Sequence, residues 1–498
     1  MQADSLHPPR RDWFLALAVA YLAVPVLIFL LGWVRPAIGI PAALVVASVA
    51  GALVWPKKNS APRPALSQNH LLLILTLAFA WPLLAGVGGV LPQSSDYLKH
   101  NLLLHDLTST AWPVIYPHVG GNTYLCYALG YYLVPALGGK LLGAAALPAL
   151  TFLWTFAGLA LFFYWLATLT ASPGKMLATF LLFAPIGIFW TLFKAHGLPG
   201  LVRAEGLEPK LLYDGLLFGY NDSYTRFFYQ PQHALAGWLG TAVLFERLWT
   251  QKNPRGAVFA WALCVLWSPL TSLGLLLVPL AALGRVRWQN YFEPLNLLGG
   301  GVLLGGLGIY FQGHLALPDK GFIGNFSTGA EWVLFYFLFL ALTLAPLLCL
   351  WLVERKEKIL GEWRPLFFCA AGVLVVLPLY KFGIAGDLRQ QTGAPAFLLL
   401  ALVTARILQS EKFSLDRPLR LLLAAALLLG AVYPVVRPAK NLLAGAPDYA
   451  YANVVQALGW RSLPDMTDPR FDLAAQYQGR GDSPAVRWLL RQNPPSPP

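Results

Sequence analysis

Residues 13–34 read WFLALAVAYLAVPVLIFLLGWV, an unbroken run with no charged side chain. As a helix it rises about 33 Å, enough for the roughly 30 Å hydrocarbon layer of a bilayer. It is longer than the apolar core of a secretory signal peptide, and a second run follows at 37–55, so it reads as an uncleaved first span. Working outward, comparable runs recur near 71–92, 146–170, 175–193, 232–249, 256–283, 294–312, 330–353, 364–382, 392–408 and 418–436. One further apolar piece, 123–142, is interrupted by Gly130, Pro135, Gly138 and Gly139. The expected fold class is an all-α polytopic membrane protein with about 11–13 transmembrane helices. Short amphipathic helices are expected in its first large outward loop.

Composition agrees. Of 498 residues, 57% are hydrophobic and 12% charged, against about 25% charged in a typical soluble protein. Lipid must therefore cover part of the surface. The net charge of +13 comes from basic residues in short loops, such as Arg10-Arg11, Lys57-Lys58, Lys252 with Arg255, and Arg355-Lys356 with Lys358. That is the positive-inside pattern, and with no basic domain or recognition motif it argues against a nucleic-acid partner. Cys126, Cys264, Cys349 and Cys369 are scattered singly, which suggests neither a zinc site nor a disulfide framework. Gly299-Gly300-Gly301 inside a span suits close helix packing better than a phosphate cradle, since no P-loop lysine follows. Residues 1–70 read as a two-helix hairpin, 71–436 as the main membrane domain, and 437–498 as a polar, water-exposed tail.

Sidedness follows by parity. With Arg10-Arg11 cytoplasmic, 37–55 returns the chain to Lys57, Lys58 and Arg63 on the same side. Loops 250–256 and 354–363 belong there too. Segments 93–122, 194–231, 313–329 and 383–391 and the tail then lie outside. This requires that 123–142 does not cross fully and that 256–283, broken at Ser268-Pro269, re-enters or crosses an even number of times. Four polar segments thus meet on one face, where functional residues tend to concentrate.

Loop 93–122 holds the densest chemistry. On a helix, Asp96, Lys99, His100 and Asp106 fall within an arc of about 120°, with Ser94 or Ser95 available as a cap. A carboxylate beside cations could deprotonate a hydroxyl while the cations hold an anionic leaving group. The structural alternative is a snorkelling Lys99 and His100 paired with Asp96 at headgroup level. Arg226 could bind an anion or pair with Asp222. His233 opens a span, where it could ligate or simply cap. Asp387 and Arg389, two residues apart, could form a mutual salt bridge or serve a cavity mouth. The aromatics Trp190, Tyr220, Tyr224, Phe227, Phe228, Tyr229 and Trp238 suit sugar stacking, although an interfacial aromatic belt explains most of them.

An acid just after a span, then an amphipathic helix and Trp112-Pro113, resembles the GT-C superfamily of integral membrane glycosyltransferases. Tyr127–Leu142 (YALGYYLVPALGGKLL), Phe228–Trp238 (FYQPQHALAGW) and Gly386–Leu398 (GDLRQQTGAPAFL) are similar to uncharacterised bacterial proteins of that type. The likeness covers roughly residues 71–410. It implies transfer of a sugar from a polyprenyl-phosphate donor to an unknown acceptor (lipid, glycan or protein) at the outer face of the bacterial inner membrane. In that reading Asp96 is the general base and Asp106 a second acid. Lys99, His100, Arg226, His233 and Arg389 contact the donor phosphate, supported by Asp387 and Asp222. The outer loops lack the acid-x-acid motif of metal-dependent members, so no cofactor or metal is expected and a divalent cation is not indicated. The alternatives are a transporter or flippase, or a polymerase or ligase, of lipid-linked glycans.

Overall fold

The computed structural model describes residues 12–55, 63–117, 121–186, 218–315, 320–326, 331–383, 386–414, 417–443, 451–466 and 474–492. Arg10-Arg11, Lys57-Lys58, Trp190 and most of loop 194–231 lie outside the described residues. Among the described residues helices dominate, with two very small sheets, consistent with an all-α polytopic membrane protein.

The chain begins with α1 (Trp13–Gly32), α2 (Pro36–Leu53) and α3 (Gln68–Leu84). Asp12 caps α1 by accepting from the Leu15 N–H at 3.2 Å, and Pro36 suits the first position of α2. Then come α4 (Tyr97–Ser109), α5 (Leu133–Leu142), α6 (Leu147–Thr168), α7 (Pro173–Leu182), α8 (Ser223–Tyr229) and α9 (Pro231–Leu244). Run 256–283 divides into α10 (Ala257–Leu263), α11 (Pro269–Leu275) and α12 (Leu277–Ala281). The remainder comprises α13 (Gly301–Gln312), α14 (Glu331–Leu342), α15 (Ala345–Glu357), α16 (Arg364–Val376), α17 (Asp387–Leu408), α18 (Arg417–Leu443) and α19 (Tyr451–Leu458).

Among the described residues, six helices are long and apolar enough to span a bilayer, or seven if the bent α14–α15 pair counts as one. They do not account for all of the 11–13 expected: several apolar runs form shorter or broken helices, and others, such as 175–193, continue beyond the described residues. Run 71–92 stops helical growth at Leu84, and Gly86, Gly88 and Gly89 turn the backbone through positive φ. In 123–142 only ten residues are helical, about 15 Å of rise, which cannot cross. The Gly run behaves as expected at two positions. A Cβ at Gly299 would strike Phe259 and one at Gly300 would crowd Val258, whereas Gly301 faces open space.

Contacts sort the loops to two ends. At one, Arg63 bridges Asp12 (2.8 Å) and Glu246 (3.2 Å), while Arg285 reaches the Trp249 carbonyl and Glu362. Arg255 pairs with Glu293, and Asn296 bonds both the Pro254 carbonyl and the Val258 N–H. Segment 256–283 therefore starts and finishes at the same end, a re-entrant path with Ser268-Pro269 at its tip.

At the other end, β1 (Ile115–Tyr116), β2 (Thr123–Leu125) and β5 (Gln478–Arg480) form an antiparallel sheet in that order. A second antiparallel pair joins β3 (Lys320–Phe322) to β4 (Tyr380–Phe382). The tail packs back onto this end: β5 pairs with β2, Leu490 bridges Val34, and the Arg35 guanidinium donates to the Leu490 carbonyl at 3.1 Å. Helix α1 packs into the bundle as well, where its Tyr21 stacks on Trp154 and Trp267. At the centre lies α17, almost wholly buried, whereas α18 turns most of its surface outward.

Candidate active site

Helix α4 begins at Asp96, which occupies the cap position without capping. The expected serine cap does not form either, because Ser94 donates to the Phe228 carbonyl at 3.2 Å. The Asp96 carboxylate turns instead to Lys99, one helical turn on, at 2.6 Å. Burial works against the Lys99 ammonium, but Asp96, then Tyr477 and Tyr127, outweigh it and hold its pKa above the usual lysine range.

Lys99 lines a cavity of about 470 Å³, within the range of small-molecule sites. Helix α17 delivers Asp387 to the same cavity, and its carboxylate interacts electrostatically with Lys99 and Asp96. A tight turn makes room for it: Gly383 has φ +82°, and a Cβ there would collide with the Asp387 carboxylate. Helix α9 contributes His233, whose Nδ1 lies 2.8 Å from the Ser268 hydroxyl at the tip of the re-entrant segment. Lys320 from β3, with Gln476 and Tyr477 from the tail, completes the wall.

Of the sequence-derived residues, the structure thus gathers Lys99, His233 and Asp387 in one cavity, with Asp96 directly behind Lys99. The others it places elsewhere. His100 is held by the Tyr132 hydroxyl at 2.6 Å and the Tyr229 carbonyl at 2.9 Å. Burial and then the Lys99 charge push its pKa down to about 4, which favours the neutral form of a ring whose two nitrogens are both engaged. Asp106 stands about 15 Å along the helix from Asp96. One of its oxygens accepts from the Tyr116 hydroxyl (2.8 Å), the Ser462 hydroxyl (2.9 Å) and the Leu463 N–H (3.0 Å). It latches the tail; burial raises its pKa although those bonds oppose the rise.

Asp222 caps α8, accepting from the Thr225 N–H at 2.9 Å, and makes no ion pair with Arg226. Arg226 instead donates to the carbonyls of Gln390 and of Asn221 (3.1 Å for the latter), and burial lowers its pKa to about 10. Together with Gln390, which bonds the Asn221 N–H and the Gly219 carbonyl, it stitches the approach to α8 onto α17. Arg389 is buried on α17 and does not line the cavity.

The aromatics also differ from expectation. Trp238 is 1% exposed and stacks on Phe162 and Phe227, so it is packing core, not an interfacial belt or a sugar platform. Sequence reasoning missed Lys320, Gln476 and Tyr477. Tyr477 sits in a polar tail with no local pattern, and only its pairing beside β2 brings it to the site. Among the described residues, no three His, Cys, Asp or Glu side chains gather where they could hold a metal ion.

No family model matches this chain, and no curated protein or solved structure is similar to it.

Proposed function

We propose that the protein is a membrane glycosyltransferase that moves a sugar from a polyprenyl-phosphate donor to an acceptor hydroxyl. The observation carrying this reading is one cavity, at one end of an apolar bundle, lined by Lys99, Asp387, His233 and Lys320, with Asp96 paired to Lys99. A lipid-linked phosphosugar matches both halves: its chain suits the apolar exterior and its phosphate suits the lysines. The basic loops at the opposite end support an outward-facing cavity.

In this reaction the acceptor oxygen attacks the anomeric carbon and Asp96 takes its proton. The bond from the anomeric carbon to phosphate oxygen breaks, and the phosphate leaves with the electron pair, its charge held by Lys99 and Lys320. Asp96 suits the base role because its carboxylate is partly exposed and stands against Lys99, which lines the cavity. Asp387, deeper in the wall, orients the donor sugar.

The test is transfer of labelled sugar from a panel of polyprenyl-phosphate sugars, in membranes holding wild type, Asp96→Asn or Asp387→Asn. Loss of a general base costs about 10²–10⁴-fold in rate, and that fall is expected for Asp96→Asn in a normally folded protein. Full transfer by Asp96→Asn with none by Asp387→Asn would move the base to Asp387. Flipping of lipid-linked glycan without transfer by wild type would favour transport, the reading that the re-entrant segment under the cavity also accommodates.

A further inference from the structure

The cavity that holds Lys99 has a second polar wall, built from two helices and the tip of the re-entrant segment. His233 on α9, Gln391 on α17 and Asp387 one turn earlier on α17 all line it. Four residues apart, Asp387 and Gln391 share a helix face. Ser268 joins the two helices. Its hydroxyl, wholly buried at the start of α11, lies 2.8 Å from His233 Nδ1, 2.6 Å from the Thr271 hydroxyl and 3.4 Å from the Gln391 amide oxygen. It also accepts from the Thr271 N–H at 3.2 Å.

A serine hydroxyl carries one proton. Here it is donated to Thr271, at the shortest of these distances. The proton between Ser268 and His233 must therefore sit on Nδ1. His233 is 2% exposed and pairs with no carboxylate among the described residues, and an unpaired buried imidazolium is costly, so the ring is neutral. Its Nε2 then carries a lone pair, and it bonds nothing among the described residues. Gln391 is fixed in the same way. With its oxygen turned to Ser268, its NH2 group has no partner among the described residues. The wall thus offers acceptors at His233 and Asp387 and a donor at Gln391. Hydroxyl groups, which both donate and accept, match that set. A phosphate, which only accepts, would meet a lone pair at His233 and a negative charge at Asp387.

We propose that His233, Gln391 and Asp387 form the subsite that reads free hydroxyls on the donor's sugar, an uncharged hexose, and that Ser268 sets the histidine tautomer this requires. The inference rests on the donor reading above and extends it, moving His233 from the phosphate to the sugar. His233 accepts from one hydroxyl, Asp387 accepts from another, and Gln391 donates to a sugar oxygen. A carboxylated sugar would face the Asp387 charge, so the hexose is uncharged. Ser268 touches no substrate and acts as a positioning residue.

The test uses the full chain in phosphatidylcholine nanodiscs with glucosyl, galactosyl and mannosyl polyprenyl phosphates of one chain length. Polyprenyl methyl phosphate, equal in charge but without a sugar, is the reference, and binding is read by native mass spectrometry. Wild type is expected to hold at least one sugar lipid about tenfold tighter than the methyl lipid. His233→Leu should cut that preference about two- to tenfold, the range for one hydrogen bond. Its binding of the methyl lipid should be unchanged, which shows that the variant is folded. His233→Gln should keep most of the preference, since its amide oxygen can accept where Nε2 does. Nitrogen NMR of histidine-labelled protein adds a readout that a structural role would not move. The His233 ring should be the Nδ1–H tautomer in wild type and lose that bias in Ser268→Ala. Equal binding of sugar and methyl lipids by wild type, an unchanged preference in His233→Leu, or a protonated Nε2 at neutral pH would overturn the inference and leave phosphate binding standing. Loss of both kinds of lipid by His233→Leu would make His233 structural and overturn it as well. Wild type that binds none of the lipids would remove the donor reading itself, and the inference with it.

Discussion

Replacing Asp106, which does not itself line the cavity, with alanine should release the C-terminal segment from the site. One carboxylate oxygen serves three donors, from Tyr116, Ser462 and Leu463. Each hydrogen bond to a charged group is worth about 1.5–3 kcal/mol, but such terms overlap, so about 3 kcal/mol is a fair total for the latch. By the rule that 1.4 kcal/mol is tenfold, local opening should rise about a hundredfold. Hydrogen–deuterium exchange on peptides covering 460–466 and 474–482 reads this directly, because β5 hangs on the same segment. Protection there should collapse while α17 stays protected. Tyr477 and Gln476 would then leave the Lys99 cavity, so ligand binding should weaken alongside. Unchanged protection across 460–482 would refute the idea that Asp106 holds the tail in place.

Three other outcomes follow from the geometry. Trp238→Ala removes a buried aromatic at the centre of a stacked cluster and should cost about 3–5 kcal/mol in stability, whereas a sugar platform would lose ligand binding with the melting temperature intact. Gly383→Ala should displace the Asp387 carboxylate and impair any activity of the Lys99 cavity, with bulk helicity unchanged by circular dichroism. His100, pushed from about 6.5 to about 4, favours the folded state above pH 6.5, and that contribution is lost as pH falls through about 4. Stability should therefore drop by about 3 kcal/mol over that interval, and an His100→Gln variant, lacking the titration, should show a shallower decline by thermal melting.

Much of the fold was legible because lipid imposes a coarse code: a span must be long, apolar and free of charge. Trp13–Gly32 and Asp387–Leu408 are both long and apolar enough to span, and parity left 256–283 either re-entering or crossing an even number of times. Counting overran where glycine cut a run, as at Gly86–Gly89, whereas the glycines and proline within 123–142 had already marked that piece as too broken to cross. In the site, the i,i+3 pair Asp96–Lys99 was readable because helical periodicity fixes it locally. Asp387 joined it only through the packing of α17, yet its charge at the head of an apolar run had already flagged it. His100 and Asp106 misled for one reason: sharing an arc of α4 says nothing about what surrounds each residue. One faces a tyrosine and a carbonyl, the other a tail that folds back from more than 350 positions away. Lys320 and Tyr477 carried no signal, since short strands in polar loops brought them to the cavity.

The central claim is that a lipid-linked phosphate docks at Lys99, in the cavity that Asp387 also lines. The most direct measurement is photocrosslinking with a polyprenyl-phosphate sugar carrying a diazirine beside the phosphate, mapped by peptide mass spectrometry. Labelling of Tyr127, Tyr477 or the start of α17, abolished by Lys99→Met, is the result expected. Labelling confined to residues outside the Lys99 cavity, or unchanged labelling in the Lys99→Met protein, would contradict it.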